Sequence, residues 1–334
     1  MQTRRMGNSD FMTSAIGFGC WEMGGTYGAF DDTEVINAIH RAIDLGVTLF
    51  DTARIYGFTM NLDQPFGAGR SEELLARALG PRRKDVLVVT KGGLPTRTGQ
   101  PVGRDSRYDF VIQDCEDSLR ALQTDYIDLY LIHWPDVKVP FEEPMRALND
   151  LVAAGKVRHI GVSNFSSSQL REARQHAPII TNQVGYNLFD RRWEREMFPT
   201  AEELGIGIMA YGPLAHGLLT GTFTPQTTFE QSDWRHRGVL FGQALFHPDH
   251  FGQNLAIVEQ LKAVAARKGI SLPRLALAWV LANPLVSVAL TGARHPGEIE
   301  DNVAALDITL TADERAELDT IMQTAAGQVD AVPQ

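Results

Sequence analysis

The chain has 334 residues, with 44% hydrophobic and 22% charged side chains, proportions of an ordinary globular protein that can bury a core without staples. Its formal net charge of −10 argues against a nucleic-acid surface, which needs clustered Lys and Arg, and leaves room only for a local basic pocket around one phosphorylated cofactor. Two cysteines, Cys20 and Cys115, suggest neither a disulfide framework nor a zinc site, and no run reaches the roughly 18 apolar residues of a membrane span.

In chain order, "MQTRRMGNSDFMTS" has no apolar signal core, so a reducing cytoplasm is the expected location, and "RRMGNSDFMTSAIGFG" reads as a turn-containing hairpin. Short apolar runs then recur: "AIGFGCW" (15–21), "VTLFDTA" (47–53), "VLVVTKG" (86–92), "IDLYLIHW" (127–134), "VRHIGVSNF" (157–165), "IITNQVGYNL" (179–188), "GIGIMAYGPL" (205–214) and "VSVALTG" (286–292). They are near-continuous rather than alternating, as parallel strands covered on both faces are. Between them lie amphipathic stretches such as "TEVINAIHRAIDLG", "SEELLARALG", "YDFVIQDCEDSLRALQ" and "FEEPMRALNDLVAAG", several closed by glycine. The helix before the last strand is expected from "NLAIVEQLKAVAARKG" and "PRLALAWVLAN", and "TADERAELDTIMQ" reads as one extra C-terminal helix. Residues 58–70 and 222–253 exceed what a barrel connection needs and read as ordered loops over one rim.

Eight strand–helix units specify an α/β (β/α)8 TIM barrel, expected here as a single domain over 1–334 with an N-terminal hairpin. The rival, a doubly wound open sheet, would bind a nucleotide through a glycine fingerprint; the first turn is "GFGCWEMGG", and no G-x-G-x-x-G follows any strand.

Active sites of such barrels lie at the carboxyl ends of the strands, where this chain carries Trp21, Asp51, Lys91, His133, Ser163 with Asn164, Gln183, Tyr211 and Arg294. Each alone has a plain alternative. Asp51 could cap a helix, His133 could be a satisfied core histidine, Tyr56 could pack a loop, and Trp21 and Trp134 could pack the rim. Strands 2, 3 and 4 are neighbours in a barrel, however, so Asp51, Lys91 and His133 meet there, with Tyr56 added by the loop after strand 2. A phenol has a reference pKa of about 10, and an adjacent Lys⁺ is expected to bring Tyr56 down while Asp51 keeps Lys91 charged. Such a cluster suits proton delivery to a carbonyl whose oxygen is positioned by His133. It contains no nucleophile–base pair and no metal triad.

At these residues the sequence resembles the aldo-keto reductases. "FDTARIYG", "VVTKGG" and "DLYLIHWP" are similar to the family's aspartate–tyrosine, lysine and histidine strands, and "VRHIGVSNF", "NQVGYNLFDR", "YGPLAHGLLTG" and "TGARHPGEIEDNVAAL" extend the likeness to residue 306. The resemblance implies a catalytic tetrad of Asp51, Tyr56, Lys91 and His133. It implies Ser163, Asn164 and Gln183 on a nicotinamide carboxamide, and Tyr211 stacked on the ring. Gly212, Leu214 and Gly217 would lie against the diphosphate, and Arg294, Glu298 and Asn302 around the adenosine. Gly19, Trp21, Asp51 and Gly292 complete the implied cofactor contacts, and Trp21, Tyr56, His133 and Trp134 would meet a small carbonyl or alcohol substrate. The implied cofactor is NADP(H), for which Arg294 offers a guanidinium fork; Glu298 in its place beside a ribose would favour the alternative, NAD(H). No nucleic-acid, membrane or metal partner is expected. A cofactor-sensing protein without turnover and Schiff-base chemistry at Lys91 are the competing functions, the latter disfavoured because Asp51 keeps the amine protonated.

Overall fold

The computed structural model describes residues 1–25, 27–28, 30–58, 67–96, 102–231 and 233–328. Eight parallel strands close into a barrel in chain order: β3 (Ile16–Gly19), β4 (Leu49–Asp51), β5 (Leu87–Gly92), β6 (Ile127–Ile132), β7 (Val157–Ser163), β8 (Thr181–Gly185), β9 (Gly207–Tyr211) and β10 (Val286–Thr291). The strands are shorter than the apolar runs in the sequence, because each run continues into its loop once the ladder ends. The register sets Asp51 opposite Val89 and Lys91 opposite Leu131, so the ends of β4, β5 and β6 step round one mouth.

The antiparallel hairpin of β1 (Thr3–Arg5) and β2 (Met12–Ser14) stoppers the opposite end. Its Met6 and Phe11 are buried with Leu49, Val89, Leu129, Leu131, Met209 and Val288, the inward-facing residues of the strands. Gly7 makes the fit possible. Its φ is +55°, and a Cβ there would lie 2.3 Å from the carbonyl oxygen of Gly205.

Around the barrel run α1 (Asp32–Asp44), α2 (Arg70–Leu79), α3 (Tyr108–Ala121), α4 (Glu142–Ala153), α5 (Ser167–His176), α6 (Met197–Leu204), α7 (Pro248–Arg267), α8 (Leu272–Leu281) and α9 (Pro296–Ala304), with α10 (Ala312–Met322) as the extra C-terminal helix. In α1 the buried positions are Val35, Ala38, Ile39 and Ala42, an i, i+3, i+4, i+7 face turned to the sheet, and Asp31 caps it by accepting from the Thr33 N–H at 2.7 Å. α5 and α10 each begin with a capping box, Ser166 with Gln169 and Thr311 with Glu314.

One expectation is adjusted. α7 starts at Pro248, six residues before the apolar periodicity sets in at Asn254. Proline at the first helical turn and the His247 side chain, which accepts from Asp249 N–H, start it earlier. The long segment before it does fold over the mouth as expected, through a short 3-10 turn at Trp234–Arg237. In the other long segment, residues 59–66 lie outside the described residues. No helix among the described residues is long and apolar enough to cross a membrane.

Candidate active site

A cavity of about 760 Å³ opens at the carboxyl ends of the strands. Asp51, Tyr56, His133, Trp21, Trp134, Gly19, Ser163, Asn164, Gln183, Tyr211, Gly212, Leu214, Gly217, Gly292, Arg294, Glu298 and Asn302 all line it. Of the residues expected from the sequence only Lys91 does not. It is completely buried behind the wall, with Asp51 at 3% exposure.

Lys91 is nevertheless the hub. Its Nζ donates to Asp51 Oδ1 at 2.7 Å, to the Thr52 carbonyl at 2.8 Å and to the Tyr56 hydroxyl at 3.2 Å. An ammonium has three donors, so all are used and none is left for a substrate. The second oxygen of Asp51 accepts from Gln183 Nε2 at 2.7 Å. Burial raises Asp51 and lowers Lys91, and each holds the other against that drift toward neutrality.

The direction at Tyr56 corrects the sequence-based expectation. Enclosure raises its phenol well above the ordinary value, with Asp51 and Cys20 acting in the same sense. The Lys91 hydrogen bond offsets part of this, because it favours the ionised form, but desolvation wins. Tyr56 is therefore a protonated phenol at neutral pH. His133 packs edge-on to it, ring centroids 5.9 Å apart. Burial, then the charge of Lys91, lowers His133 well below the ordinary histidine value, so its imidazole is neutral. Its Nδ1 is buried with no partner among the described residues.

A second run of hydrogen bonds continues along the next strand ends. Ser163 Oγ donates to the Gln183 carbonyl at 2.9 Å, Asn164 Nδ2 to Ser163 Oγ at 3.0 Å and to the His133 carbonyl at 3.1 Å, and the Tyr211 hydroxyl to Asn164 Oδ1 at 2.9 Å. Asn164 has φ +64°, a left-handed conformation that Asn tolerates better than most residues, and this turns its amide inward. The network ties the Asp51–Lys91 pair to the ring of Tyr211 through fixed polar groups.

The residues after β9 form an irregular tight turn running to Thr220, within which Gly212 (φ +60°), Ala215 (φ +48°), His216 (φ +56°) and Gly217 (φ +96°) are left-handed. Opposite them, Arg294 Nη2 donates to the Tyr27 carbonyl at 2.8 Å, the Arg294 N–H donates to Glu298 Oε2 at 2.6 Å, and Asn302 Nδ2 donates to the Gly292 carbonyl at 3.3 Å.

Several lining residues were not singled out from the sequence. Tyr27 bonds His216 Nδ1 at 3.1 Å across the cleft. Phe241 sits among Trp134 (5.6 Å), Tyr211 (5.7 Å), Trp21 (6.1 Å) and His216 (6.3 Å). Arg235 also lines the cavity, held by Asp233 at 2.5 Å. For Arg235 and Phe241 the only signal is the aromatic and basic density of "SDWRHRGVLF", which does not say where a loop folds, and Tyr27 has none.

A closed (β/α)8 barrel with enclosed titratable groups at its strand ends has the architecture of a barrel enzyme. The model of the aldo/keto reductase family matches residues 15–323, and the chain belongs to that family. It is 38% identical over 327 residues to aldo-keto reductase YhdN of Bacillus subtilis (strain 168), covering 97% of this chain and 94% of that one. It is 33% identical over 322 residues to the NADH-specific methylglyoxal reductase of Escherichia coli (strain K12), covering 92% and 94%. The structure of the glycerol dehydrogenase AKR11B4 from Gluconobacter oxydans superposes with a TM-score of 0.84 at 36% identity, covering 98% of this chain and 97% of that one. These relatives are oxidoreductases.

Proposed function

We propose that the whole chain works as one unit, a nicotinamide-dinucleotide-dependent reductase of aldehydes, ketones or sugar-like carbonyls that also runs in reverse on the alcohols, with Tyr56 as the proton donor. The observation that carries this reading is the hydroxyl of Tyr56 held 3.2 Å from a fully coordinated Lys91 and beside a neutral His133. When bound, the dinucleotide supplies a hydride to the carbonyl carbon. The chain's own groups do the rest. His133 donates a hydrogen bond to the carbonyl oxygen, Tyr56 passes its proton to that oxygen as charge develops there, and Lys91 stabilises the phenolate left behind. A phenol raised by burial starts in the form that reduction needs. Oxidation needs it ionised, so the reverse direction gains with rising pH.

Ser163, Asn164 and Gln183 offer buried amide and hydroxyl groups for a carboxamide, and Tyr211 an aromatic face. The tight turn at Gly212–Gly217 and the start of α9 suit phosphate groups. We assign NADP(H) as the preferred cofactor on the Arg294 guanidinium. NAD(H) is the second reading, supported by the Glu298 carboxylate beside it and by an NADH-specific relative. The two buried, unpaired cysteines suit a reducing cytoplasm.

The test is Tyr56→Phe, assayed with NADPH and NADH on a panel that includes methylglyoxal and, in the oxidative direction, glycerol. Turnover is expected to fall by roughly 10²- to 10⁴-fold, with cofactor binding by tryptophan fluorescence nearly unchanged. Full activity in the variant excludes the mechanism. A wild-type protein that binds dinucleotide but turns over none of the panel returns the cofactor-sensing reading.

A further inference from the structure

Glu22 follows Trp21 in the short turn after β3, and its carboxylate lies in the cleft that also holds Arg294, Glu298, Asn302 and Gly217. It is seated on Gly292 at the end of β10, where an added Cβ would fall 2.5 Å from Glu22 Cδ and 2.6 Å from its Oε1. The missing side chain of Gly292 thus makes the space for the carboxylate. Among the described residues none makes a hydrogen bond or an ion pair with either oxygen, and Glu22 is half-buried rather than sealed from solvent. Two cations flank it at longer range, and both are committed elsewhere: Arg294 to the Tyr27 carbonyl at 2.8 Å, Arg235 to Asp233 at 2.5 Å and to the His216 carbonyl at 3.3 Å.

An unpaired carboxylate in a half-buried cleft is costly. Burial raises Glu22 above the usual carboxylate value, Arg294 and Arg235 pull it back, and Glu298 pushes it further up. Glu22 in turn acts on Cys20 and Tyr27, both raised well above their ordinary values chiefly by burial, and His216, lowered to about 3, His295, Glu298 and Asp301 line the same cleft.

We propose that Glu22 is an anion built into the dinucleotide groove, competing with the cofactor's diphosphate for the field of Arg235 and Arg294, so that cofactor binding takes up a proton at Glu22. This rests on the groove being the dinucleotide site, as proposed above. A bound diphosphate makes the carboxyl harder to ionise than in the free protein. Affinity therefore rises as pH falls through the bound-state value, and levels off below the free-state value. The consequence is a cofactor held less tightly at alkaline pH than the two arginines alone would hold it, which favours release.

The experiment is calorimetric titration of the full chain with NADP⁺ and NAD⁺, at about pH 5.5 and about pH 8, in pairs of buffers with different ionisation enthalpies. Wild type is expected to take up protons on binding. Glu22→Gln, which keeps shape and packing, is expected to take up a sizeable fraction of one proton fewer. At the higher pH it should bind about tenfold tighter, the scale of one removed charge in a partly screened cleft. The 2′-phosphate of NADP⁺ and His295 are common to both proteins, so the difference isolates Glu22. Glu22→Lys is expected to bind tighter still, with melting curves reporting that both variants fold. Equal affinity and equal proton uptake in wild type and Glu22→Gln overturn the inference while leaving the groove assignment standing. Failure of wild type to bind either dinucleotide overturns both.

Discussion

Lys91→Met is the sharpest probe of the site, because it removes one charge from a completely buried position while keeping an unbranched stem. At the observed 3.2 Å between Lys91 Nζ and the Tyr56 hydroxyl, a full phenolate–ammonium pair at an effective dielectric of about 20 is worth roughly 5 kcal/mol. Proton transfer develops about half that charge at the transition state. The loss is then roughly 2.5 kcal/mol, or about 10²-fold in the hydride-transfer step. The fold suffers as well. Asp51 keeps Gln183 as a hydrogen-bond donor but loses the cation, and leaving such a carboxylate buried costs about 3–5 kcal/mol of stability. Adding Asp51→Asn removes the stranded charge and is expected to restore most of that stability without restoring turnover. Single-turnover oxidation of NADPH measures the chemical step apart from product release, and urea unfolding of both variants measures the stability. The reasoning fails if Lys91→Met transfers hydride within about threefold of wild type, or if the double variant is no more stable than the single one.

Two further outcomes follow from the same coordinates. Asp114 on α3 accepts a hydrogen bond from the Gly93 N–H at 2.8 Å, and burial raises it to about 7 from an ordinary 3.8, with Glu72 adding to the shift. A raised folded-state value means that its contribution to stability is complete below about pH 4 and is lost as pH rises through about 7, a span worth roughly 4 kcal/mol at most. Asp114→Asn should flatten this part of the pH–stability curve, and identical slopes in urea titrations from about pH 4 to 8 would exclude it. Phe241, at φ +50° between Trp21 and Trp134, walls the end of the cleft proposed to take the substrate. Phe241→Ala is expected to raise KM for an apolar aldehyde roughly tenfold with little change in kcat, as removal of uniform apolar contact does. A fall in kcat at constant KM would instead place the ring in the chemistry.

Sequence alone determined the barrel, because eight near-continuous apolar runs separated by amphipathic stretches have one compact solution, and it placed Asp51, Lys91 and His133 together because their strands are neighbours in that solution. It also picked out Asn164, Gln183 and Tyr211, as polar or aromatic groups at the mouth ends of the apolar runs. Tertiary structure decided what depends on burial and on loops. Tyr56 was expected to be lowered by Lys91, but burial raises it, a desolvation that no residue spacing reveals. Tyr27, Arg235 and Phe241 belong to connections whose path over the mouth is set by packing against other loops. Glu22 acquires a meaning only from its seat on Gly292, 270 residues further along the chain. Periodicity encodes which residues face a core; the field that a charged group feels is set by what the folded chain places around it.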